Sequence, residues 1–470
     1  LEGELMKGFN ISVRMGFITK TISVSMWLVG TLFLFCLSGG LCSAQTMSTK
    51  ALEAKLTQKI GISDLVALAY RENPSIRAAQ EAWKATVEKY RLATALPDPQ
   101  LNVTYFPDPI ETRLGPQDWN LTLSQKIPFP GKLSSAGEVV QADARIARLK
   151  LDQAVQNVIL SIRESYHELL YIREAKTVVE QNMQLLDHLR KVGETAYAQD
   201  RAVLMDMVKA QSQTGQLRYD MLLLDDLEMT EKTRLNGILN RAPDAPFGTL
   251  AAEAFPPIVL SLEELYQLAQ AHQEEIRIAG VEVEKADVKI DQARYQNFPD
   301  FKFGLFYASI GDPDVPVDPD HAGRDAYGVQ AGLTLPLWFG QNKARLNIAR
   351  AEMKKSQAAE QARINDTRTN IRNLFFRLEN ARRLMTLYGE ELLPQAARSM
   401  EIAETWFREG ESTFSDFIET QAVWYNFQLA RARARADYGK FLARLERFVG
   451  QRLSQRTGNT ADGAGKGAHD

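Results

Sequence analysis

Two stretches of this chain, 134–197 and 342–408, read as single helices far longer than a compact domain can hold. The first contains no proline, and apolar residues recur three and four apart in both, the period of an amphipathic helix. At 1.5 Å of rise per residue each would extend roughly 100 Å. A globular domain of this mass is only a few tens of Å across. Each stretch also follows a short alternating strand: LTLSQKIPFPGK at 121–132 and LTLPLWFGQNK at 333–343. The chain therefore joins a strand to an oversized helix twice.

The joints belong to a larger duplication. At an offset of 200, Leu65, Leu68, Ala69, Arg77, Ala79 and Lys89 fall on Leu265, Leu268, Ala269, Arg277, Ala279 and Lys289. Asp206 and Gln211 fall on Asp416 and Gln421 at a slightly larger offset, as a longer loop in the second copy would produce. Each copy reads as helix, β-hairpin, long helix and helix. Copy one spans 61–243, with a helix over 62–95, a hairpin over 100–127, the long helix 134–197 and a helix 203–239. Copy two spans 261–451, with a helix over 262–296, a hairpin over 300–336, the long helix 342–408 and a helix 413–449. Pro394 should kink the second long helix, because proline removes a backbone donor and clashes with the preceding turn. Residues 45–60 form an extension, 244–260 a structured linker, and 452–470 a Gly- and Thr-rich tail expected to be disordered.

Within the hairpins, period 2 sorts residues onto two faces. Leu101, Val103, Tyr105, Trp119, Leu121 and Leu123 share one face with Phe301, Phe303, Leu305, Tyr307, Val329, Ala331 and Leu333. Asn102, Thr104, Asn120, Thr122, Ser124, Lys302, Gln330 and Thr334 make a polar second face. Loops are expected at 107–118 and 309–326. Aromatic residues at the strand flanks and strands of about ten residues suit a tilted crossing of a membrane. Leu121, Leu123, Phe303, Leu305 and Leu333 would then face lipid.

Residues 1–44 read as a secretory signal, with Lys7, Arg14 and Lys20 before the apolar run 22–37 and small residues Cys42-Ser43-Ala44 at its end. Cys36 and Cys42 both lie there, so the mature chain is expected to have no thiol chemistry. With 45% hydrophobic residues the chain can bury a core, and a net charge of -3 gives no basic surface for nucleic acid. The histidines are scattered without ligand spacing. No phosphate loop or nucleophile set is visible. The expectation is a protein that is not an enzyme and holds no cofactor or metal.

Four strands cannot close in lipid, where an open edge leaves backbone groups unpaired at several kcal/mol each. Three chains sharing one barrel would supply twelve strands around an aqueous lumen. With helices leaving one end, the chain would build a tube through the membrane and the space beneath it. The runner-up is a soluble periplasmic coiled-coil adaptor or scaffold whose strands pack in a small sheet.

At this point residues 61–451 resemble the TolC-like outer membrane efflux proteins. The resemblance rests on the duplicated plan, the two strand-to-helix joints, and the stretch FREGESTFSDFIETQ at 407–421. Overall texture, including Pro-Phe-Pro-Gly, looks most like the heavy-metal and cation efflux branch. The resemblance implies a mainly α protein with a β-hairpin part, forming a homotrimeric 12-stranded barrel continued by an α-helical barrel. It also implies an outer membrane location, lipid contact, and docking on a periplasmic adaptor (membrane fusion) protein and an inner membrane pump, as the passive exit duct of a tripartite efflux or type I secretion system. Residues matching the family's periplasmic gate are Met205, Asp206, Phe407, Ser412, Asp416 and Glu419. Asp416 and Glu419 share a helical face, although Thr413 and Asp416 also have the spacing of a capping box.

Overall fold

The computed structural model describes residues 49–197, 204–251, 260–314 and 320–453. The expected signal, the helix tip 198–203, most of the linker, the loop 315–319 and most of the tail lie outside the described residues. No described helix is long and apolar enough to cross a membrane.

The chain opens with α1 (Thr49–Leu56) and β1 (Lys59–Ile60), followed by α2 (Ile62–Glu72), α3 (Pro74–Thr94), β2 (Gln100–Thr112) and β3 (Gly115–Ile127). Then come α4 (Lys132–Tyr197), α5 (Leu204–Ile238) and β4 (Thr249–Leu250). The same order recurs in α6 (Leu262–His272), α7 (Glu274–Tyr295), β5 (Asp300–Ile310), β6 (Ala326–Thr334) and α8 (Phe339–Thr386). A π-helical turn (Leu387–Leu392), α9 (Leu393–Glu409) and α10 (Phe414–Val449) complete the fold.

Three elements differ from the sequence expectation. The helices expected over 62–95 and 262–296 are each broken in two. Asn73 and Gln273 leave the helix with extended backbones, and their side chains cap the next one: Ser75 and Ile76 donate to Asn73 Oδ1 at 2.9 and 3.1 Å, and Ile276 donates to Gln273 Oε1 at 2.7 Å. The loop expected at 107–118 is mostly strand. β2 lies at the sheet edge and shifts register between Tyr105 and Ile110, so Pro107 and Pro109 fit where no ladder donor is required. In the second long helix the irregular turn lies just before Pro394, which stands in the first turn of α9.

One sheet unites the two hairpins in the order β2-β3-β5-β6, all antiparallel. Cross-strand partners share a face. Leu101 pairs with Leu123, Leu123 with Leu305, and Leu305 with Val329; Val103, Leu121, Tyr307 and Tyr327 form a second such row. The helices keep the same lateral order below the sheet: α3 packs on α4, α4 on α7, and α7 on α8. Farther from the sheet α5 replaces α3 and α10 replaces α7.

The joint between sheet and helices explains the Pro-Phe-Pro-Gly stretch. Gly131 has φ +103°, and a Cβ there would fall 2.5 Å from the Tyr295 ring. Phe129 stacks on Phe298 with centroids 4.5 Å apart. Asp300 accepts the Phe129 backbone N–H at 3.1 Å and Lys132 Nζ at 2.7 Å through Oδ1, and pairs with Lys126 at 3.0 Å through Oδ2. The bend in copy one is thus held by the first strand residue of copy two.

Buried side chains gather in three clusters. One around Leu65, Ile162, Tyr166 and Leu235 is closed by the β1–β4 pair and by the Tyr166 hydroxyl, which donates to Ala251 O at 2.6 Å. A second joins α6, α8 and α10 around Leu265, Ile371 and Leu445. The third runs toward the tips around Leu186, Leu217 and Phe417.

Candidate duct surfaces and helix tips

The sheet presents the apolar row bare. Leu101, Val103, Tyr105, Leu123, Phe303, Leu305, Tyr327, Val329 and Leu333 are all exposed, and Leu121 is half-buried. The opposite face carries Asn102, Thr104, Thr122, Ser124, Lys302 and Gln330, with Gly304, Gly328 and Gly332 between them.

At the other end, α9 terminates at Gly410, whose φ of +80° allows Glu411 to donate back to Trp406 O at 2.8 Å. Thr413 and Asp416 then form a reciprocal cap. Asp416 N–H donates to Thr413 Oγ1 at 3.2 Å, and Thr413 donates to Asp416 Oδ2 from its N–H at 3.1 Å and its hydroxyl at 2.7 Å. These bonds hold the Asp416 carboxyl below the usual range, with the Lys209 charge helping. Lys209 on α5 also donates to Ser415 Oγ at 3.0 Å, linking the two tips of one chain.

The other expected gate residues occupy different settings. Glu419 is exposed one turn beyond Asp416. Met205 is exposed on the first turn of α5; Asp206 follows it, its side chain outside the described ones. Phe407 is half-buried and packs within the chain against the fully buried Phe417, centroids 6.5 Å apart. Ser412 Oγ is enclosed with no hydrogen-bond partner among the described residues.

The seam between α4 and α10 joins the two copies and carries contacts that residue spacing did not reveal. Nearest the tip, Gln421 donates to Asn182 Oδ1 at 2.6 Å, both side chains being buried, and Tyr425 donates to Asp220 of the adjoining α5 at 3.2 Å. Higher up stand the ion pairs Arg163–Glu446, Glu164–Arg444 and Glu168–Arg433, with Arg447–Glu274 beside them. His167 is buried among them with its ring against Gly439, and burial together with Arg163 and Lys440 pushes it down to about 3. Only Gln421 had a sequence signal, its match with Gln211 in the duplication. No group of three or more candidate metal ligands occurs among the described residues.

A wall of helices thus continues a sheet that is apolar on one side and polar on the other. Residues 265–451 match the family described as outer membrane efflux protein. The chain is 22% identical over 348 residues to the pyoverdine export outer membrane protein OpmQ of Pseudomonas aeruginosa, covering 70% of this chain and 68% of that one. Its fold is shared with the outer membrane protein VceC of Vibrio cholerae (TM-score 0.68, 18% identity, 83% of this chain and 96% of that one). It is likewise shared with the open state of the MtrE outer membrane channel of Neisseria gonorrhoeae (TM-score 0.68, 16% identity, 83% and 89%). The chain is thus similar to outer membrane efflux proteins, by sequence over 265–451 and by fold over most of its length.

Proposed function

We propose that this chain is the outer membrane channel of a tripartite efflux system, a passive exit duct that crosses the outer membrane and continues through the periplasm. The observation that carries this reading is the common lateral order of strands and helices. Each chain is a strip of wall four elements wide, open at β2 and α3 on one side and at β6 and α8 on the other. Two different open edges make a head-to-tail contact, which closes into a ring when the rotation permits. Three strips supply twelve strands, enough for a water-filled barrel. The bare apolar row then meets lipid through Leu121, Leu123, Phe303, Leu305 and Leu333, and the polar face lines the lumen. A soluble adaptor is disfavoured, because the same row would stand in water.

At the far end, Met205, Asp206, Ser412, Asp416 and Glu419 sit around the helix turns, where three chains would converge. Asp416 serves first as a cap, while Glu419 has no such duty and is the better candidate for an acidic ring that favours cations. Phe407 holds the tip closed by packing α9 on α10. A periplasmic adaptor engaging the tips, with a pump in the inner membrane, would complete the path. A passive duct needs no catalytic residue. Recovery of the protein in outer membrane fractions as a trimer that migrates differently before and after heating would support this reading. A monomer in the soluble periplasmic fraction would sink it.

A further inference from the structure

The upper wall leaves two helices with one side packed and the other bare. The half-buried or buried residues Ile76, Ala79, Trp83 and Thr86 turn α3 toward α4. The opposite side of α3 presents Ala78, Glu81, Ala85, Glu88 and Leu92, alternately three and four apart. On α8, Asn342, Leu346, Ala349, Met353 and Ser356 face inward, and Ala344, Ile348, Ala351, Lys355, Ala358 and Ala362 line the opposite side at the same spacing. That spacing is the mark of a helix-to-helix seam. Both stripes lie at the open edges of the strip. Leu92 is 79% exposed and Ile348 60%, so each stripe carries an uncovered apolar residue beside its charges.

The charges are opposite. Across 339–355 α8 carries Lys343, Arg345, Arg350, Lys354 and Lys355 against Glu352 alone, and Glu352 pairs with Lys289 of α7 at 3.4 Å. Lys354 and Lys355 have no ion pair among the described residues. On α3, Glu81 and Glu88 reach only bases of their own helix, Lys84 at 2.7 Å and Arg91 at 3.9 Å.

Contacts inside the chain fix the relative heights of these residues. Arg148 sits over Trp83, so Glu88, five residues higher on α3, stands level with Asp143, five residues higher on α4. Asp143 pairs with Lys285 of α7 at 3.1 Å. Lys289, four residues above Lys285, meets Glu352, which brings Lys285 level with Ser356 of α8. Glu88 therefore stands at the height of Lys354 and Lys355, on the other edge of the same strip. Leu92 comes within about one turn of Ile348 by the same count.

We infer that α3 of one copy docks on α8 of the next, with Glu88 paired to Lys354 and Lys355 of its neighbour and Leu92 packed against Ile348. The inference rests on the ring of copies proposed above, and it assigns that ring a registration lock between neighbouring chains just below the barrel. Alanines at Ala78 and Ala85 on α3 and at Ala351 and Ala358 on α8 let the two helices approach closely. The lock fixes height, so that β2 of one copy meets β6 of the next in register.

The test is cross-linking combined with charge reversal in the full chain. Glu88→Cys together with Lys355→Cys, oxidised in isolated membranes, should give a ladder of covalent dimer and trimer that collapses on reduction. Neither single variant should do so; the natural cysteines, Cys36 and Cys42, lie in the expected signal. Glu88→Lys alone, or Lys354→Glu with Lys355→Glu, should lower the trimer-to-monomer ratio in detergent by about three- to tenfold, the scale of exposed ion pairs repeated around a ring. Combining all three reversals should restore it. A wild-type trimer whose double-cysteine variant gives no ladder, or whose triple reversal is no better than either half, overturns the seam and leaves the duct standing. A wild type found only as a monomer removes both.

Discussion

Leu305 is the midpoint of β5, flanked in register by Leu123 on β3 and Val329 on β6. In the isolated chain it is exposed, with no helix laid over it. If that row faces lipid, Leu305→Arg places a guanidinium near the membrane midplane at a cost of about 2–4 kcal/mol per chain. Because a tenfold change in an equilibrium corresponds to about 1.4 kcal/mol, assembly should fall at least thirtyfold or so, and the penalty recurs in every copy of the ring. Thr122, one strand over, pairs with Phe306 and Asn102 on the opposite face. An arginine there enters water, so Thr122→Arg should assemble normally and change only conductance. The assay is the heat-modifiable trimer in outer membrane fractions, followed by single-channel recording of what assembles. Equal loss for both variants, or equal tolerance, would refute the assignment of faces.

His167 should make the middle of the molecule acid-sensitive. Its folded value near 3 lies below the usual 6.5, so the unfolded chain binds the extra proton, and stability present above pH 6.5 erodes as pH falls toward 3. The slope approaches about 1.4 kcal/mol per pH unit, or roughly 2 kcal/mol by pH 5, and His167→Phe should flatten it in denaturation midpoints measured between pH 5 and 7. At the tip, Glu419→Gln should reduce cation preference in planar bilayers with no change in thermal midpoint, whereas Asp416→Asn should chiefly weaken the first turn of α10. A selectivity change from Asp416→Asn with an unchanged midpoint would remove the capping argument. Since the Asp416 carboxyl is held low by its bonds to Thr413, its contribution is present above the unfolded value and is lost only as pH falls through the folded one.

Features carried by local periodicity were legible in the residues; those carried by distant partners were not. The alternation at Leu101, Val103 and Tyr105 named the strand face, because period 2 is a property of the segment itself. The extension of β2 past Tyr105 was hidden by Pro107 and Pro109, which signal a loop unless the strand is known to be an edge. The break at Asn73 had Pro74 to announce it. The equivalent break at Gln273 had no proline, and its cap by an unusual residue type gave no warning. At the tips, the Thr413 and Asp416 spacing showed a cap, but Lys209 meeting Ser415 depends on two helix ends more than two hundred residues apart. The same holds for Asn182 with Gln421.

Asp300 shows why the sheet and the helices share one lateral order. A strand that ends in Pro128-Phe129-Pro130-Gly131 could leave the sheet in several directions, since Gly131 tolerates backbone angles closed to other residues. Asp300 removes that freedom by holding the Phe129 N–H, Lys132 and Lys126 at once. It is also the first residue of β5, the strand paired to β3, and follows α7, the helix packed against α4. The neighbours above the joint are thereby made the neighbours below it. Without such a tie, strands and helices could be ordered independently, and a ring closed by strand pairing would leave gaps between helices. With it, closing the proposed ring of twelve strands would also close the tube beneath them, and one side chain per copy would couple the pore to the conduit.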